Sequence, residues 1–144
     1  MIRHDTGSLR EHIMPGRLEH VNVTVSDPHA TARLMQRLFG WHIRWEGPAK
    51  HEGYTIHVGS EDDYVALYRA PAAYEGDGQR PPGDSYATRG GLNHIAVVVD
   101  DLDAVEAKVK TEGFAPESHA DYEPGRRFYF RDADGIEFEV VSYG

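Results

Sequence analysis

Two histidines stand at matching places in two similar stretches of this chain, and a glutamate lies further along it. The first stretch reads RLEHVNVTVSD from residue 17, and the second reads GLNHIAVVVD from residue 91. Each places a lone histidine, His20 or His94, near the start of a β-branched apolar run that ends in an acidic residue. Together with Glu139, these imidazoles would form a 2-His-1-carboxylate set, which leaves coordination positions open on a divalent metal.

We therefore predict a metal site made of His20, His94 and Glu139. A facial set of this kind suits non-heme Fe²⁺ especially, and Mn²⁺, Zn²⁺ or Ni²⁺ can occupy the same ligands. A single histidine on a strand is more often a hydrogen-bonding or half-exposed residue than a ligand. The matched positions in an internal repeat are what favour the metal interpretation.

The two apolar runs are typical of strands, because they are short, rich in valine and bounded by turn or cap residues. Side chains alternate between the faces of a strand. Val21 and Val23 are therefore predicted to lie under the following helix, with His20 on the opposite face. The same alternation in the second copy and in the last strand puts His94 and Glu139 on that opposite face.

Turn residues and hydrophobic periodicity predict an α+β fold with a βαβββ plan that occurs twice. We expect strands at 17–25, 41–46, 54–58, 64–69, 91–99, 115–119, 126–131 and 136–141, and helices at 28–39 and 102–112. Asp27-Pro28 is a helix-start pattern and Gly40 a helix end. The domain would comprise residues 17–144, with modules at 17–70 and 91–143, a Gly- and Pro-rich linker at 71–90, and an N-terminal arm at 1–16. Laying one module on the other matches Ala66 with Glu139.

The bulk composition excludes several classes of protein. The 144 residues carry a formal net charge of −9, which argues against nucleic acid as a partner and suits a divalent cation. No apolar run reaches the roughly 20 residues that span a bilayer, so we expect no membrane association. The chain has no cysteine, which excludes thiolate metal sites and disulfides. We expect a cytoplasmic protein.

Three motifs of the chain are LEHV at 18–21, LNHIA at 92–96, and FYFRDADG at 128–135 leading to Glu139. They resemble those of the vicinal oxygen chelate superfamily, which includes glyoxalase I, extradiol dioxygenases, fosfomycin-resistance transferases and bleomycin-binding proteins. The resemblance covers about residues 17–143. It implies that the paired modules curl into a half-barrel around the metal. It also implies a homodimer, in which the metal ligands often come from both chains.

Departures from the family patterns help to separate its branches. Glyoxalase I normally has a fourth ligand at the position of Ala66, and alanine can neither bind metal nor move a proton. Extradiol dioxygenases have the same three ligands and none at that fourth position, and their signature fits here except for Ala133 in place of proline. This resemblance implies that Tyr129 hydrogen-bonds a substrate hydroxyl or enolate and that His119 acts as an acid or base.

The preferred prediction is extradiol-type dioxygenase chemistry on a small molecule chelated through vicinal oxygens. The alternatives are a glyoxalase I-like lyase or isomerase, and a drug- or metabolite-binding protein without turnover. Asn22 replaces the threonine of fosfomycin-resistance transferases, and the negative charge argues against a phosphonate. Arg126 and Arg127 could hold a carboxylate or form a solvated strand edge. The sequence leaves open whether His20 shares a metal with His94 of its own chain or of a partner.

Overall fold

A computed structural model describes residues 15–71, 83–122 and 125–144 of the chain. Most of the predicted arm and residues 72–82 of the predicted linker lie outside the described residues. The elements follow one another in the order β1 His20–Thr24, α1 Pro28–Phe39, β2 His42–Pro48, β3 Tyr54–Gly59, β4 Tyr64–Arg69, β5 Ile95–Val98, α2 Leu102–Thr111, β6 Glu117–Tyr122, β7 Gly125–Arg131 and β8 Glu137–Ser142. The predicted α+β class and the repeated βαβββ plan are confirmed.

The two modules have the same topology. Each contains a four-stranded sheet, with strand orders β1-β4-β3-β2 and β5-β8-β7-β6. In each sheet the first strand pairs in parallel with the last, while the other pairs are antiparallel. A helix covers one face of each sheet, and we call the opposite face the inner face.

The first helix begins and ends where the sequence predicts. The Asp27 side chain accepts hydrogen bonds from the backbone N–H groups of His29 and Ala30, and Pro28 follows at the first helical position. Gly40 ends the helix in the left-handed conformation at φ 72°, and its N–H bonds the Gln36 carbonyl. Such caps satisfy backbone groups that the helix itself leaves unpaired.

Apolar side chains from both modules form one core between the helices and the sheets. Phe128, Phe130 and Phe138 are fully buried there. The Phe39 ring of α1 lies 6.1 Å from the Phe138 ring of the second module. Arg37 of α1 also forms a two-bond ion pair with Glu112, at 2.7 and 2.9 Å. The two halves are therefore joined through their helix-bearing sides.

The strands that carry the histidines are shorter than predicted. β5 begins at Ile95, so His94 directly precedes it, and β1 begins at His20. A residue belongs to a strand only where a neighbouring strand pairs with it. The first paired residues are His20 with Tyr64 in the first sheet and Ile95 with Phe138 in the second. No helix within the described ranges is long and apolar enough to cross a membrane.

Candidate metal centre

The best candidate site lies on the inner face of the second sheet. His94 stands at the entrance to β5, and Glu139 lies on the adjacent strand β8. His94 Nε2 lies 3.0 Å from Glu139 Oε1. Two ligands at right angles on a divalent metal, with bonds of about 2.1 Å, have donor atoms about 3.0 Å apart. The types and the spacing of these donors therefore fit two neighbouring ligands of one metal ion.

The second oxygen of Glu139 is held by an arginine. Arg127 Nη1 donates to Glu139 Oε2 at 2.8 Å, and the two side chains are only 12% and 9% exposed. Arg127 is therefore an inner-face residue, whereas Arg126 lies exposed and pairs with Asp103. Oε2 of Glu139 is therefore bound by the Arg127 guanidinium, and Oε1 faces the His94 imidazole. In this arrangement Glu139 could bind a metal through Oε1 alone.

The other ring nitrogen of His94 also has polar neighbours. The Tyr86 hydroxyl lies 3.3 Å from His94 Nδ1 and donates to Glu137 Oε2 at 2.8 Å. Glu137 Oε2 lies 3.5 Å from the same Nδ1 atom, and Arg131 binds the second Glu137 oxygen at 2.8 Å. The bond to Glu137 raises the pKa of Tyr86, because the ionised phenol would lose its donor proton beside a carboxylate.

His20 lies on the inner face of the first sheet, within a group of aromatic rings. Its ring stacks on Tyr64 at 4.7 Å, the His57 ring also stacks on Tyr64 at 4.5 Å, and the two histidine rings are 6.3 Å apart. Its Nδ1 atom lies 2.8 Å from Glu19 Oε1, and this hydrogen bond lowers the pKa of Glu19. Within residues 15–71, 83–122 and 125–144, no three His, Cys, Asp or Glu side chains converge to hold a metal. One chain therefore brings His94 and Glu139 together but leaves His20 elsewhere.

The position that matches Glu139 in the first module carries no ligand. Ala66 is buried on β4 and pairs in register with His57 on β3. Burial, more than the nearby His20 and Arg44 charges, lowers the pKa of His57. This histidine extends the polar part of the inner face beside Ala66.

Of the two residues with predicted catalytic roles, Tyr129 alone lies beside the pair. Its ring meets the His94 ring edge-on at 5.7 Å, and it pairs in register with Glu139.

His119 instead stacks on the core residue Phe128, and its Nε2 atom lies 2.7 Å from Glu106 of α2. Between Glu117 and Ala120, β6 has one residue more than β7, and Ser118 takes φ 56°. Such a bulge reverses the alternation that follows it. The structure therefore brings His119 to the helix side of the sheet and not to the metal pair.

The inner faces of both sheets are partly exposed in a single chain. Asn22 and Thr24 on β1 are exposed, as is Ala96 on β5. Val98 on β5 is 62% exposed and Trp45 on β2 is 51% exposed. Exposed large apolar side chains such as Val98 and Trp45 are typical of a surface that another molecule or a second copy covers.

A cavity of about 350 Å³ lies between the modules beside the pair. His94 and Glu137 border it from the second module, and Asn22 borders it from β1. Its volume is within the range of small-molecule sites. A somewhat larger cavity of about 410 Å³, at the start of α1, contains none of the candidate ligands. The chemistry of the donor set favours the smaller one.

Several polar residues of the site were given no role from the sequence. The alternation that puts Glu139 on the inner face puts Glu137 there too, and the same rule applied to β3 would have found His57. Tyr86 belongs to a short 3₁₀ turn, Ser85–Ala87, in the predicted linker. No periodicity marks such a residue, so only the folded structure identifies it.

Comparisons with known proteins agree with this architecture. The sequence model of the Glyoxalase/Bleomycin resistance protein/Dioxygenase superfamily matches residues 17–140. No curated protein matches the chain significantly. Among solved structures, a glyoxylase/bleomycin resistance protein/dioxygenase domain from Frankia sp. EAN1pec superposes with a TM-score of 0.73 at 23% identity, over 91% of this chain and 94% of that one.

Two further structures show the same fold. The fosfomycin resistance protein FosX from Listeria monocytogenes superposes with a TM-score of 0.66 at 18% identity, over 91% of this chain and 96% of that one. A glyoxalase I mutant from Zea mays superposes with a TM-score of 0.69 at 18% identity, over 87% of this chain and 44% of that one. At such identities the likeness concerns the fold alone.

Proposed function

Since the chain belongs to the glyoxalase/bleomycin resistance protein/dioxygenase superfamily, we propose that it is a divalent-metal enzyme acting on a small molecule that binds through two neighbouring oxygens. The observation that carries the proposal is the 3.0 Å approach of His94 Nε2 to Glu139 Oε1 on the inner face. A fosfomycin resistance protein FosX of this fold has been crystallised with Mn(II) and sulfate, which supports a divalent metal here.

The third ligand in this proposal is His20 of the partner subunit in a homodimer. The inner faces of one chain are partly exposed, and His20 lies apart from the pair, so a second copy would both cover the exposed parts and complete the ligand set. C2 dimers bury the same surface on both subunits and would create two such sites. A monomeric mass in solution at micromolar concentration would contradict this arrangement.

The chain's own residues have distinct tasks in the proposed chemistry. His94 and Glu139 hold the metal, and Arg127 fixes the second oxygen of Glu139 through a buried charge-assisted hydrogen bond. Tyr129, beside His94, would hydrogen-bond a substrate hydroxyl or enolate. A bound divalent metal would supply Lewis-acid polarisation and orient the substrate oxygens.

Within this proposal we prefer Fe²⁺ and extradiol-type dioxygenase chemistry. The supporting observation is Ala66, which offers no fourth ligand and no second base at the position that corresponds to Glu139. A glyoxalase I-like reaction, in which carboxylates move the protons, has no residue for that task there. A binding protein without turnover is the remaining alternative, and the paired donors His94 and Glu139 favour the enzyme.

Metal analysis tests the proposed site directly. Protein purified without chelator should contain stoichiometric divalent metal, and His94→Ala should lose it. His119→Ala is the matched control, because it removes an imidazole from the opposite side of the same sheet and should keep the metal. A wild-type protein that binds no divalent metal under any condition would refute the site.

Substrate screening then separates the two reactions. Catechols with Fe²⁺ under oxygen should turn over, whereas hemithioacetals with Ni²⁺ or Zn²⁺ should not. Turnover of the hemithioacetals alone would refute the dioxygenase preference while leaving the metal site intact. Tyr129→Phe should lower the turnover of the accepted substrate and leave the metal content unchanged.

A further inference from the structure

Both candidate histidines present the same ring atom to a glutamate. His20 Nδ1 lies 2.8 Å from Glu19 Oε1. His94 Nδ1 lies 3.5 Å from Glu137 Oε2 and 3.3 Å from the Tyr86 hydroxyl, which itself donates to that carboxylate oxygen. In both modules, a carboxylate that is not a candidate metal ligand therefore lies beside Nδ1, and in the second module the Tyr86 hydroxyl also links the two. We call such a group an outer carboxylate.

This likeness is not a simple consequence of the repeat. Glu19 directly precedes its histidine, and the corresponding residue before His94 is Asn93. Glu137 instead lies on β8, at the position that Tyr64 occupies on β4. Two different positions thus supply the same group to the same atom. In each case a tyrosine hydroxyl also bonds the carboxylate, from Tyr64 to Glu19 at 3.4 Å and from Tyr86 to Glu137 at 2.8 Å.

The chemical consequence concerns the tautomer of each ring. An ionised carboxylate only accepts hydrogen bonds, so the nitrogen beside it carries the proton. The Tyr86 hydroxyl donates to Glu137 and can accept from His94 Nδ1, which gives the same result for His94 once a metal lies between its Nε2 atom and Glu139 Oε1. A neutral imidazole with its proton on Nδ1 has a lone pair on Nε2 that can bind a metal. A carboxylate that accepts the Nδ1 proton fixes the orientation of the ring and raises the basicity of Nε2.

We propose that Glu19 and Glu137 are positioning residues that hold His20 and His94 with Nδ1 protonated and Nε2 free to bind a divalent metal. The inference deepens the proposed function and depends on its ligand set. For His94 the geometry is consistent, because Nε2 faces Glu139 Oε1 while Nδ1 faces the outer group. Neither glutamate is itself a ligand in this arrangement.

The two positioning contacts should differ in strength. The Glu137 side chain is 11% exposed, Arg131 binds its second oxygen, and Tyr86 donates to the oxygen that faces His94. The Glu19 side chain is 64% exposed, so water competes for its contact with His20. Glu137 should therefore contribute more to metal binding than Glu19.

Zinc(II) affinity, measured by competition with a chromogenic chelator, tests the proposal without reference to turnover. Glu137→Gln keeps the shape of the side chain and removes its charge, and it should weaken binding about 10- to 100-fold. Glu19→Gln should weaken it by a smaller factor. Glu106→Gln is the matched control, since it removes the same charge from a glutamate–histidine contact on the opposite face and should leave the affinity unchanged.

Two affinity results would overturn the proposal. An unchanged affinity in Glu137→Gln would show that the carboxylate does not support the ligand. Complete loss of zinc would make Glu137 a ligand in its own right. Thermal unfolding of each variant establishes that the folded protein is being compared.

Long-range ¹H–¹⁵N NMR of the imidazole rings gives a second readout that a purely structural role would not change. In the zinc-loaded protein, both histidines should coordinate through Nε2 and carry a proton on Nδ1. In the metal-free protein at about pH 8.5, where imidazoles are neutral, His20 should already be the Nδ1–H tautomer. Coordination through Nδ1, or the opposite tautomer of His20, would overturn the proposal. Because the His20 result needs no metal, it stays decisive even if zinc fails to bind and the proposed function falls.

Discussion

Mixed dimers of two inactive variants give the sharpest test of how the metal ligands are distributed. His94 lies with Glu139 in one chain, while His20 lies on the other sheet. If each site takes His20 from one subunit and the remaining ligands from the other, His20→Ala and His94→Ala should each bind no metal. In a dimer of the two variants, the defects fall on the same site. The second site of that dimer then keeps all three ligands.

The expected recovery follows from counting subunits. Random pairing of an equal mixture makes about half of the dimers heterodimers, and one of the two sites in each heterodimer is intact. The mixture should therefore bind about one quarter of the metal that the wild-type protein binds. If all three ligands came from a single chain, no subunit of the mixture would hold a complete set, and recovery would be zero.

The assay is metal content per subunit after co-expression of the two variants with different affinity tags, followed by isolation of the doubly tagged dimer. That dimer should hold about half of the wild-type metal, because one of its two sites is intact. The control mixture pairs His94→Ala with Glu139→Ala, whose defects fall on different sites and should restore nothing. Metal in the control, or none in the first pair, would refute the shared site.

Three further predictions concern the fold. Phe128→Ala removes a fully buried ring and should lower the free energy of unfolding by about 3–5 kcal/mol, measured by urea denaturation; a loss below about 1 kcal/mol would contradict its place in the core. The ion pair with Arg37 lowers the pKa of Glu112, so its contribution to stability is present above the unfolded pKa of about 4.3 and is lost as the pH falls through the folded pKa. Glu112→Gln should therefore flatten the acid side of the stability profile, most visibly at low salt, and an unchanged profile would contradict the pairing. Burial raises the pKa of Asp132, so its contribution is greatest below about pH 3.9 and declines as the pH rises through the folded pKa. Asp132→Asn, which can still accept the backbone hydrogen bonds, should remove that decline without lowering stability at pH 7.

Much of the fold was predictable because it rests on short-range rules. The first helix follows from a capping aspartate, a proline at the first turn and a glycine that accepts a positive φ. The direction of the inner-face side chains follows from alternation, which correctly put Glu139 and Glu137 on the side of His94. These rules need only residues that are close in sequence.

The role that the family resemblance implied for His119 does not fit its position, for a local reason that the sequence does not display. A single extra residue on β6, with Ser118 at a positive φ, turns His119 toward α2, where it meets Glu106. Whether a strand contains such a bulge depends on which residues of the neighbouring strand it pairs with, that is, on the pairing register. Register is decided by contacts between distant segments.

The sequence alone determined the duplicated plan, the family resemblance and the three candidate ligands, because each depends on residue type and spacing within one strand or one repeat. Only the tertiary structure decided which of those ligands meet. It paired His94 with Glu139, gave the second oxygen of that carboxylate to Arg127, and left His20 on a separate open sheet face. The reason is physical: the modules join through the apolar sides of their helices, where burial stabilises the fold, and this packing between distant segments decides where each sheet places its inner-face side chains.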